Sequence, residues 1–430
     1  MIPTALALLL ALLALSLPVA AVLALLGVTL GEIFTGMPLS RALGEIAWNA
    51  SSEVIIVCVP LFILMGEILL RAGIAERMYD AMVRWTSWLP GGLMHANVAA
   101  CTLFAATSGS SAATAATIST VSIPEMRKHG YNEGLFLGSL AAGGTLGILI
   151  PPSVNLIVYG VLTESSIPQL YLAGFVPGFL LAGMFMLTVL VACLFRRAWG
   201  GRPVASTWDD RLRSLPALLP PLGLFLIVVG SIYAGIATPT ESASLGVIAA
   251  LALAAANRRL TWDTLRVAIE GTMRTTAMIL LIFVAAFFLN FVIAATGLTY
   301  EINSLILDLG LSPLQTILAI VVFYLVLGCF METMAMMITT VPIVAPVIVS
   351  MGYDPIWFGI IVILLVETAM ITPPVGVNLY IVQGVRREGA LQDIMVGALP
   401  FVIALLATVG LIIAFPGLAL WLPELWRSYR

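Results

Sequence analysis

Charged side chains are scarce in this chain, and their scarcity excludes most classes of soluble protein. The 430 residues include 19 Lys and Arg and 22 Asp and Glu, together 10% of the sequence, whereas soluble domains carry about 25%. Hydrophobic residues make up 61% of the chain. Because so few charges cannot cover a water-exposed surface, we expect an all-α, multi-pass membrane protein. A soluble enzyme, a nucleic-acid-binding protein and a disordered chain are excluded.

Cysteine and histidine are also few. The four cysteines are far apart in apolar segments, and there are two histidines in all. This spacing gives no support to a disulfide framework or a zinc site. The apolar segment 1–27 lacks basic residues and is too long for an ordinary signal peptide, so it predicts a retained membrane helix.

Apolar segments of bilayer-spanning length recur along the chain, since a crossing needs about 20 residues. The candidate spans are 4–28, 53–70, 133–161, 170–194, 216–235, 238–256, 275–296, 356–383 and 394–421. Two further segments, 94–123 and 314–346, are interrupted by small or polar residues at 107–111 and 328–333. Each half is judged too short to cross, so each segment is predicted to form a re-entrant helical hairpin.

Basic residues test this topology, because cytoplasmic loops are enriched in Lys and Arg. Most of them fall in the segments 71–84, 127–128, 196–213, 258–274 and 386–387. Nine crossings and two hairpins place all five segments on one side, which should be cytoplasmic. The N-terminus is then cytoplasmic and the C-terminus lies outside. A topology in which one interrupted segment crosses the bilayer stays open.

An internal repeat relates the two interrupted segments. An offset of 222 residues pairs Thr117 with Thr339, Pro124 with Pro346, Gly130-Tyr131 with Gly352-Tyr353, and Pro151-Pro152 with Pro373-Pro374. The basic loop 71–84 corresponds to 297–313, which contains Glu301 and Asp308 but no Lys or Arg. The copies are therefore predicted to be inverted. Inverted repeats with interrupted helices are typical of secondary transporters that bind their substrate at the bilayer midplane.

The predicted organisation has five parts. They are an N-terminal membrane helix with its connector (1–52), a first repeat (53–195), inter-repeat loops with two scaffold helices (196–274), a second repeat (275–421) and a C-terminal tail (422–430). Each repeat contains one hairpin and one helix broken at its proline pair. The expected fold class is thus an all-α membrane protein built from inverted repeats.

Several motifs resemble those of one transporter family. They are 106–114 (ATSGSSAAT), 123–126 (IPEM), 130–131 (GY), 147–153 (GILIPPS), 331–333 (MET) and 371–378 (ITPPVGVN). In this order they resemble the large membrane subunit of TRAP transporters over nearly the whole chain. The resemblance covers the architecture and does not identify the substrate.

The resemblance implies a sodium-driven secondary transporter in the bacterial inner membrane, with its C-terminus in the periplasm. A periplasmic binding protein would deliver an organic acid such as a C4-dicarboxylate or sialic acid. A separate small membrane subunit would pack beside this chain. A transport domain holding both hairpins would move against a scaffold in an elevator-like manner. About two or more sodium ions, and no organic cofactor, are expected. The alternative is a related sodium-coupled transporter that works without a binding protein.

Six polar residues near the interruptions are candidate substrate ligands. Ser110 or Ser111 is expected to cap a helix that begins near Ala112, because helix N-termini favour anions such as a carboxylate. Thr333 lies at the matching tip. The other three candidates lie beside the proline pairs: Thr145, Asn155 and Asn378. For these three residues, interhelical hydrogen bonding is an equally good interpretation.

The proline pairs predict two sodium sites. Proline lacks an N–H, so each pair frees carbonyl groups one turn earlier. A sodium ion, water or neighbouring Ser and Thr side chains must satisfy these carbonyls within the membrane. The first predicted set is Ala106, Ser108, Gly147, Ile150 and Ser153. The family pattern and the repeat offset give the second set: Gly328, Ala369, Thr372 and Val375. Glu332 and Glu367 are assigned a structural or cation-related role, since ionisable residues within membranes are costly.

Overall fold

The computed structural model describes residues 1–430 except 16, 37, 299, 302, 303, 305–310, 330, 429 and 430. The described residues form helices joined by short connections and contain no strand, so the all-α fold class is confirmed. Asp308 in the predicted outer loop, and Phe330 in the second interruption, lie outside the described residues.

Ten helices form the first half of the chain. They are α1 (Ile2–Ala14), α2 (Val19–Phe34), α3 (Leu43–Ser52), α4 (Cys58–Arg71), α5 (Ile74–Thr86), α6 (Gly92–Ser108), α7 (Ser111–His129), α8 (Glu133–Thr145), α9 (Val154–Leu162) and α10 (Ile167–Phe195). The helix predicted over 4–28 is therefore two helices, and the single-helix prediction was wrong. Pro18 separates them, because proline fits the start of a helix better than its interior.

The second half begins with α11 (Trp208–Ser214), α12 (Leu219–Tyr233), α13 (Pro239–Ala256) and α14 (Trp262–Thr296). It continues with α15 (Pro313–Gly328), α16 (Thr333–Ser350), α17 (Pro355–Ile371), α18 (Val377–Arg386), α19 (Leu391–Ala414) and α20 (Gly417–Ser428). The span predicted over 394–421 ends early, at Ala414, and Pro416 precedes the separate helix α20.

Several of these helices are long and apolar enough to cross a membrane. In the part of the chain that the structure describes there are six, or up to seven if the bent pair 39–52 and 55–71 is one span. The six are Ile167–Phe195, Trp208–Tyr233, Pro239–Ala256, Trp262–Thr296, Thr333–Ser350 and Leu391–Ala414. The chain is therefore a multi-pass membrane protein.

Both interrupted segments are pairs of helices, as predicted, but the helices are longer than expected. α7 extends to His129 and α16 to Ser350 because Pro124, Pro342 and Pro346 lie inside helices and do not end them. Membrane helices tolerate such prolines when neighbouring groups satisfy the freed carbonyls. α16 is itself long enough to cross, so the expectation that every half is too short was wrong. The re-entrant path stays a prediction.

Both proline pairs break a helix. After α8 the chain makes one short turn at 146–148, passes through Pro151-Pro152 and enters α9. α17 ends at Ile371, and α18 begins after Pro373-Pro374. The predicted interruptions at 150–153 and 372–375 are thus present. The inverted orientation of the two copies stays a prediction.

The five basic segments lie together, as the charge pattern predicted. Arg84 pairs with Asp210 at 3.4 Å, which joins segment 71–84 to 196–213. The amide of Arg202 donates to the carbonyl of His129, and Arg127 pairs with Glu388 at 3.3 Å. The side-chain amide of Asn257, just before segment 258–274, donates to the carbonyl of Ala72 at 3.1 Å. These contacts place all five segments on one face of the protein.

Met1 and Arg427 contact the ends of two long helices that are distant from the basic residues. α14 is a single helix that starts in a basic segment, and its far end is followed by Glu301, which pairs with the amino group of Met1 at 3.5 Å. Arg427 donates to Gln169 at the start of α10, whose other end leads into basic residues. The ion pair places Met1 near the end of α14 that is distant from its basic start. The sides of the membrane on which the two termini lie stay predictions.

Candidate functional site

The helix interruptions meet at one cavity of about 480 Å³. Its walls combine the tip between α6 and α7, the tip between α15 and α16, and the first residues of α9 and α18. α4 and α14 form the facing wall through Ile63, Gly66, Glu67, Leu70, Thr275, Met278 and Ile279. Small-ligand pockets typically measure about 300–1,000 Å³. The cavity is therefore large enough for a small organic molecule.

The tip between α6 and α7 (the first tip) is closed by a glycine and a serine. Gly109 ends α6 with a φ of 60°, a left-handed conformation that suits glycine. The Ser110 hydroxyl oxygen accepts a hydrogen bond from the amide of Ala113 at 3.3 Å. Ser110 is thus the N-cap, as predicted, and the helix starts at Ser111. The first tip carries no charged side chain.

The tip between α15 and α16 (the second tip) is capped by a carboxylate instead. One oxygen of Glu332 accepts from the amides of Met334 and Ala335 at 2.9 and 3.1 Å, and the other from the Thr333 hydroxyl at 2.7 Å. A negative charge is stabilised at a helix N-terminus by the helix dipole. The structural role predicted for Glu332 is therefore that of an N-cap.

The first tip packs directly on the first helix break. A Cβ atom added to Gly147 would lie 2.7 Å from the carbonyl oxygen of Ser110, and one added to Gly109 would lie 2.6 Å from that of Pro152. The Ser108 hydroxyl is 2.9 Å from that of Thr114. The tip and the break thus bring carbonyl and hydroxyl oxygens together. Oxygen ligands of this kind suit a hard cation such as sodium.

The second tip packs on the second helix break in the same way. A Cβ atom on Gly328 would overlap that of Ala369. The Cys329 thiol lies 3.7 Å from the carbonyl oxygen of Pro373. The Thr372 hydroxyl donates to the carbonyl of Thr368 at 2.6 Å. Residues assigned to the second sodium site therefore come from both the tip and the break.

The remaining predicted cation ligands differ in exposure. Ile150 and Ser153 are buried in the first break, where the Ser153 hydroxyl donates to the carbonyl of Ile148. Ala106 is buried on the last turn of α6. Val375 is 38% exposed, in the short connection before α18.

Four of the six predicted substrate ligands line the cavity: Ser110, Ser111, Asn155 and Thr333. Asn155 is 2% exposed, and its side-chain nitrogen has no hydrogen-bond partner among the described residues. An amide donor buried without a partner is costly unless a ligand or water satisfies it. Asn155 is therefore the strongest candidate of the set.

The other two candidates bond within the protein. The side-chain nitrogen of Asn378 donates to the Ser111 hydroxyl at 2.9 Å and to the carbonyl of Ala141 at 3.0 Å. The Thr145 hydroxyl donates to the carbonyl of Ala142 at 2.8 Å. For Asn378 these contacts favour the interhelical hydrogen bond over substrate binding, since they join α18 to α7 and α8.

Sequence reasoning missed the wall formed by α4 and α14, because both helices have the pattern of ordinary spans. Glu67 was a usable signal, since it is an acidic residue within the predicted span 53–70. Glu67 lines the cavity, and its carboxylate pairs with Arg71. Glu367 lies outside the lining. It is fully buried, and neither carboxylate oxygen has a partner among the described residues.

Interrupted membrane helices that line one cavity are typical of secondary transporters. Residues 6–418 match the family model described as "Tripartite ATP-independent periplasmic transporter, DctM component". The chain belongs to this family.

Relatives support this membership. The C4-dicarboxylate TRAP transporter large permease protein DctM of Rhodobacter capsulatus is 31% identical over 437 residues, covering 94% of this chain and 99% of that protein. The sialic acid TRAP transporter large permease protein SiaM of Vibrio cholerae is 32% identical over 375 residues, covering 87% of each chain. The ectoine TRAP transporter large permease protein TeaC of Halomonas elongata is 30% identical over 371 residues, covering 86% of each chain.

A solved structure supports the fold alone. The YdaH transporter of Alcanivorax borkumensis matches with a TM-score of 0.65 and 16% identity, covering 95% of this chain and 97% of that one.

Proposed function

We propose that this chain is the large membrane subunit of a tripartite transporter and imports a carboxylate-bearing organic acid across a bacterial inner membrane. The observation that carries the proposal is the cavity where both tips and both broken helices meet, with the unpartnered amide of Asn155 in its wall. Relatives named for C4-dicarboxylate and sialic acid transport support the substrate class.

Sodium symport is the second part of the proposal. The oxygen groups between each tip and its break are the chemistry that supports it. Ser108, Gly147, Ile150 and Ser153, with Ala106, would hold one ion through carbonyl and hydroxyl oxygens. Gly328, Ala369, Thr372 and Val375 would hold a second. An ion that fixes a tip on its break would order the cavity wall, so sodium binding would favour substrate binding.

An elevator-type movement is the third part. α4 and α14 would belong to the scaffold, and the tips with their breaks would move as one domain. The cavity adjoins Thr275, one residue beyond Arg274 at the basic end of α14. If the basic face is cytoplasmic, as the charge rule states, this arrangement is the inward-facing one.

Two protein partners complete the proposal. A periplasmic binding protein would deliver the acid, and a separate small membrane subunit would pack on the scaffold. The test is uptake of labelled succinate and sialic acid into proteoliposomes that contain all three components. We expect uptake with an inward sodium gradient and little with potassium, and poor uptake by this chain alone. Robust uptake by the chain alone would favour the related transporter without a binding protein.

A further inference from the structure

We infer that the two tips of the cavity differ in charge, the first being neutral and the second negative. We infer further that the cavity selects organic acids with a single anionic group. The anionic group would bind at the first tip, beside Asn155. The far end of the substrate, carrying hydroxyl or ammonium donors, would face Glu332 at the second tip. This inference deepens the proposed function and rests on it.

The first tip offers donors without a competing charge. Its cap is the neutral side chain of Ser110, which occupies only the amide of Ala113. The amides of Ser111 and Ala112 belong to the first turn of α7, which has no acceptors within its own helix. Asn155 lines the same cavity and is almost fully buried, and its side-chain nitrogen has no hydrogen-bond partner among the described residues. A carboxylate placed there would receive donors from two directions.

The second tip offers the opposite chemistry. Glu332 already occupies the amides of Met334 and Ala335 with its own carboxylate. A substrate anion at this tip would have to displace that carboxylate or lie beside it. Like charges in a site of low dielectric constant repel strongly. The carboxylate still has lone pairs that can accept from a hydroxyl or an ammonium group.

The rest of the cavity lining adds no positive charge that could neutralise Glu332. Among the described residues that line the cavity, the charged ones are Glu67 and Glu332, and none is basic. Glu67 is paired with Arg71 on its own helix. The charge of Glu332 therefore has no basic side chain opposite it in the lining. A second carboxylate on the substrate would have no cationic side chain to meet it.

The experiment compares a dicarboxylate with a hydroxylated monocarboxylate. Succinate and gluconate are titrated, in sodium buffer, against the purified full-length chain in lipid nanodiscs, and apparent affinities are taken from thermal shifts. We expect gluconate to bind at least tenfold more tightly than succinate. We expect Glu332→Gln to reduce the ratio of gluconate affinity to succinate affinity at least tenfold, because succinate binds more tightly. Glutamine keeps an oxygen for the helix cap but carries no negative charge. Equal affinities, or tighter binding of succinate, overturn the inference and leave the proposed function standing.

Two further variants test whether the charge of Glu332 and the side chain of Asn155 cause the difference in affinity between the two acids. Glu53→Gln is the matched control, because Glu53 is an exposed acidic residue in a different cavity, and its variant should keep the wild-type ratio. Asn155→Ala should weaken both acids by similar factors, because the shared carboxylate binds there, and it tests the orientation even if Glu332→Gln fails to fold. If Asn155→Ala loses gluconate binding but keeps succinate binding, the proposed orientation of the substrate, with its carboxylate at the first tip, is overturned. No binding of either acid to the wild-type chain overturns the inference, whereas the proposed function is overturned only if the three-component proteoliposomes take up neither succinate nor sialic acid.

Discussion

The contact between Gly328 and Ala369 is the sharpest place to test whether the second tip and the second break form a sodium site. A Cβ atom on Gly328 would overlap the Cβ atom of Ala369. Gly328→Ala therefore forces the end of α15 away from α17. Extra methyl groups in packed interiors cost about 1–3 kcal/mol. With about 1.4 kcal/mol for each factor of ten, sodium affinity should fall by about 5- to 150-fold.

The assay uses the stabilisation that a bound ion gives to the folded protein. Stabilisation grows with the logarithm of ion concentration over the dissociation constant, so melting temperatures across a sodium series report the affinity. Gly384→Ala is the matched control, since its added methyl group would meet nothing within 4 Å. It should keep the wild-type sodium dependence.

A compensating change makes this test specific. Adding Ala369→Gly to Gly328→Ala removes the facing methyl group, so the tip can return to the break. Glycine in a helix costs about 1 kcal/mol, and affinity should therefore recover to within about fivefold of wild type. Wild-type sodium affinity in Gly328→Ala, or no recovery in the double variant, would refute the assignment of a cation site to this contact.

Three further predictions follow from buried polar groups. Asn155→Leu should lower substrate affinity by about 1–3 kcal/mol without lowering the melting temperature of the unliganded protein, because it removes no internal hydrogen bond; a lower melting temperature would reveal a structural bond. Glu367→Met should raise stability by about 1–3 kcal/mol, the cost of an unsatisfied buried group; a loss in denaturation assays would mean that the carboxylate has a partner such as an ion. Arg386→Met should cost about 2 kcal/mol, since Arg386 is buried against Glu133 and Asp393, whose own exposure limits the loss; unchanged chemical denaturation would contradict this.

Local chemistry explains the features that the sequence predicted well. Proline cannot donate to a helix, so the breaks at Pro151-Pro152 and Pro373-Pro374 follow from the residues themselves. Ser110 has the residue type of an N-cap, and the structure uses it as one. The clustering of the basic segments follows from the charge rule. The fold class follows from the composition and the apolar segments, and the transporter family from the resemblance of the motifs at the two interruptions.

Long-range packing explains what the sequence could not predict. The bond between Ser111 and Asn378 joins residues 267 positions apart, and no local pattern shows which polar groups will meet. The cavity wall of α4 and α14 likewise depends on how helices assemble. The apolar segments end at residues 123 and 346, whereas the helices continue through Pro124 and beyond Pro346 to His129 and Ser350.

Sodium binding at the two helix breaks can be observed in a high-resolution cryo-EM map of the full-length chain in nanodiscs, recorded once in sodium and once in potassium. We expect ion density between the first tip and the first break, and between the second tip and the second break, in sodium only. Continuous helices across 150–153 and 372–375, or both positions empty in sodium, would contradict it.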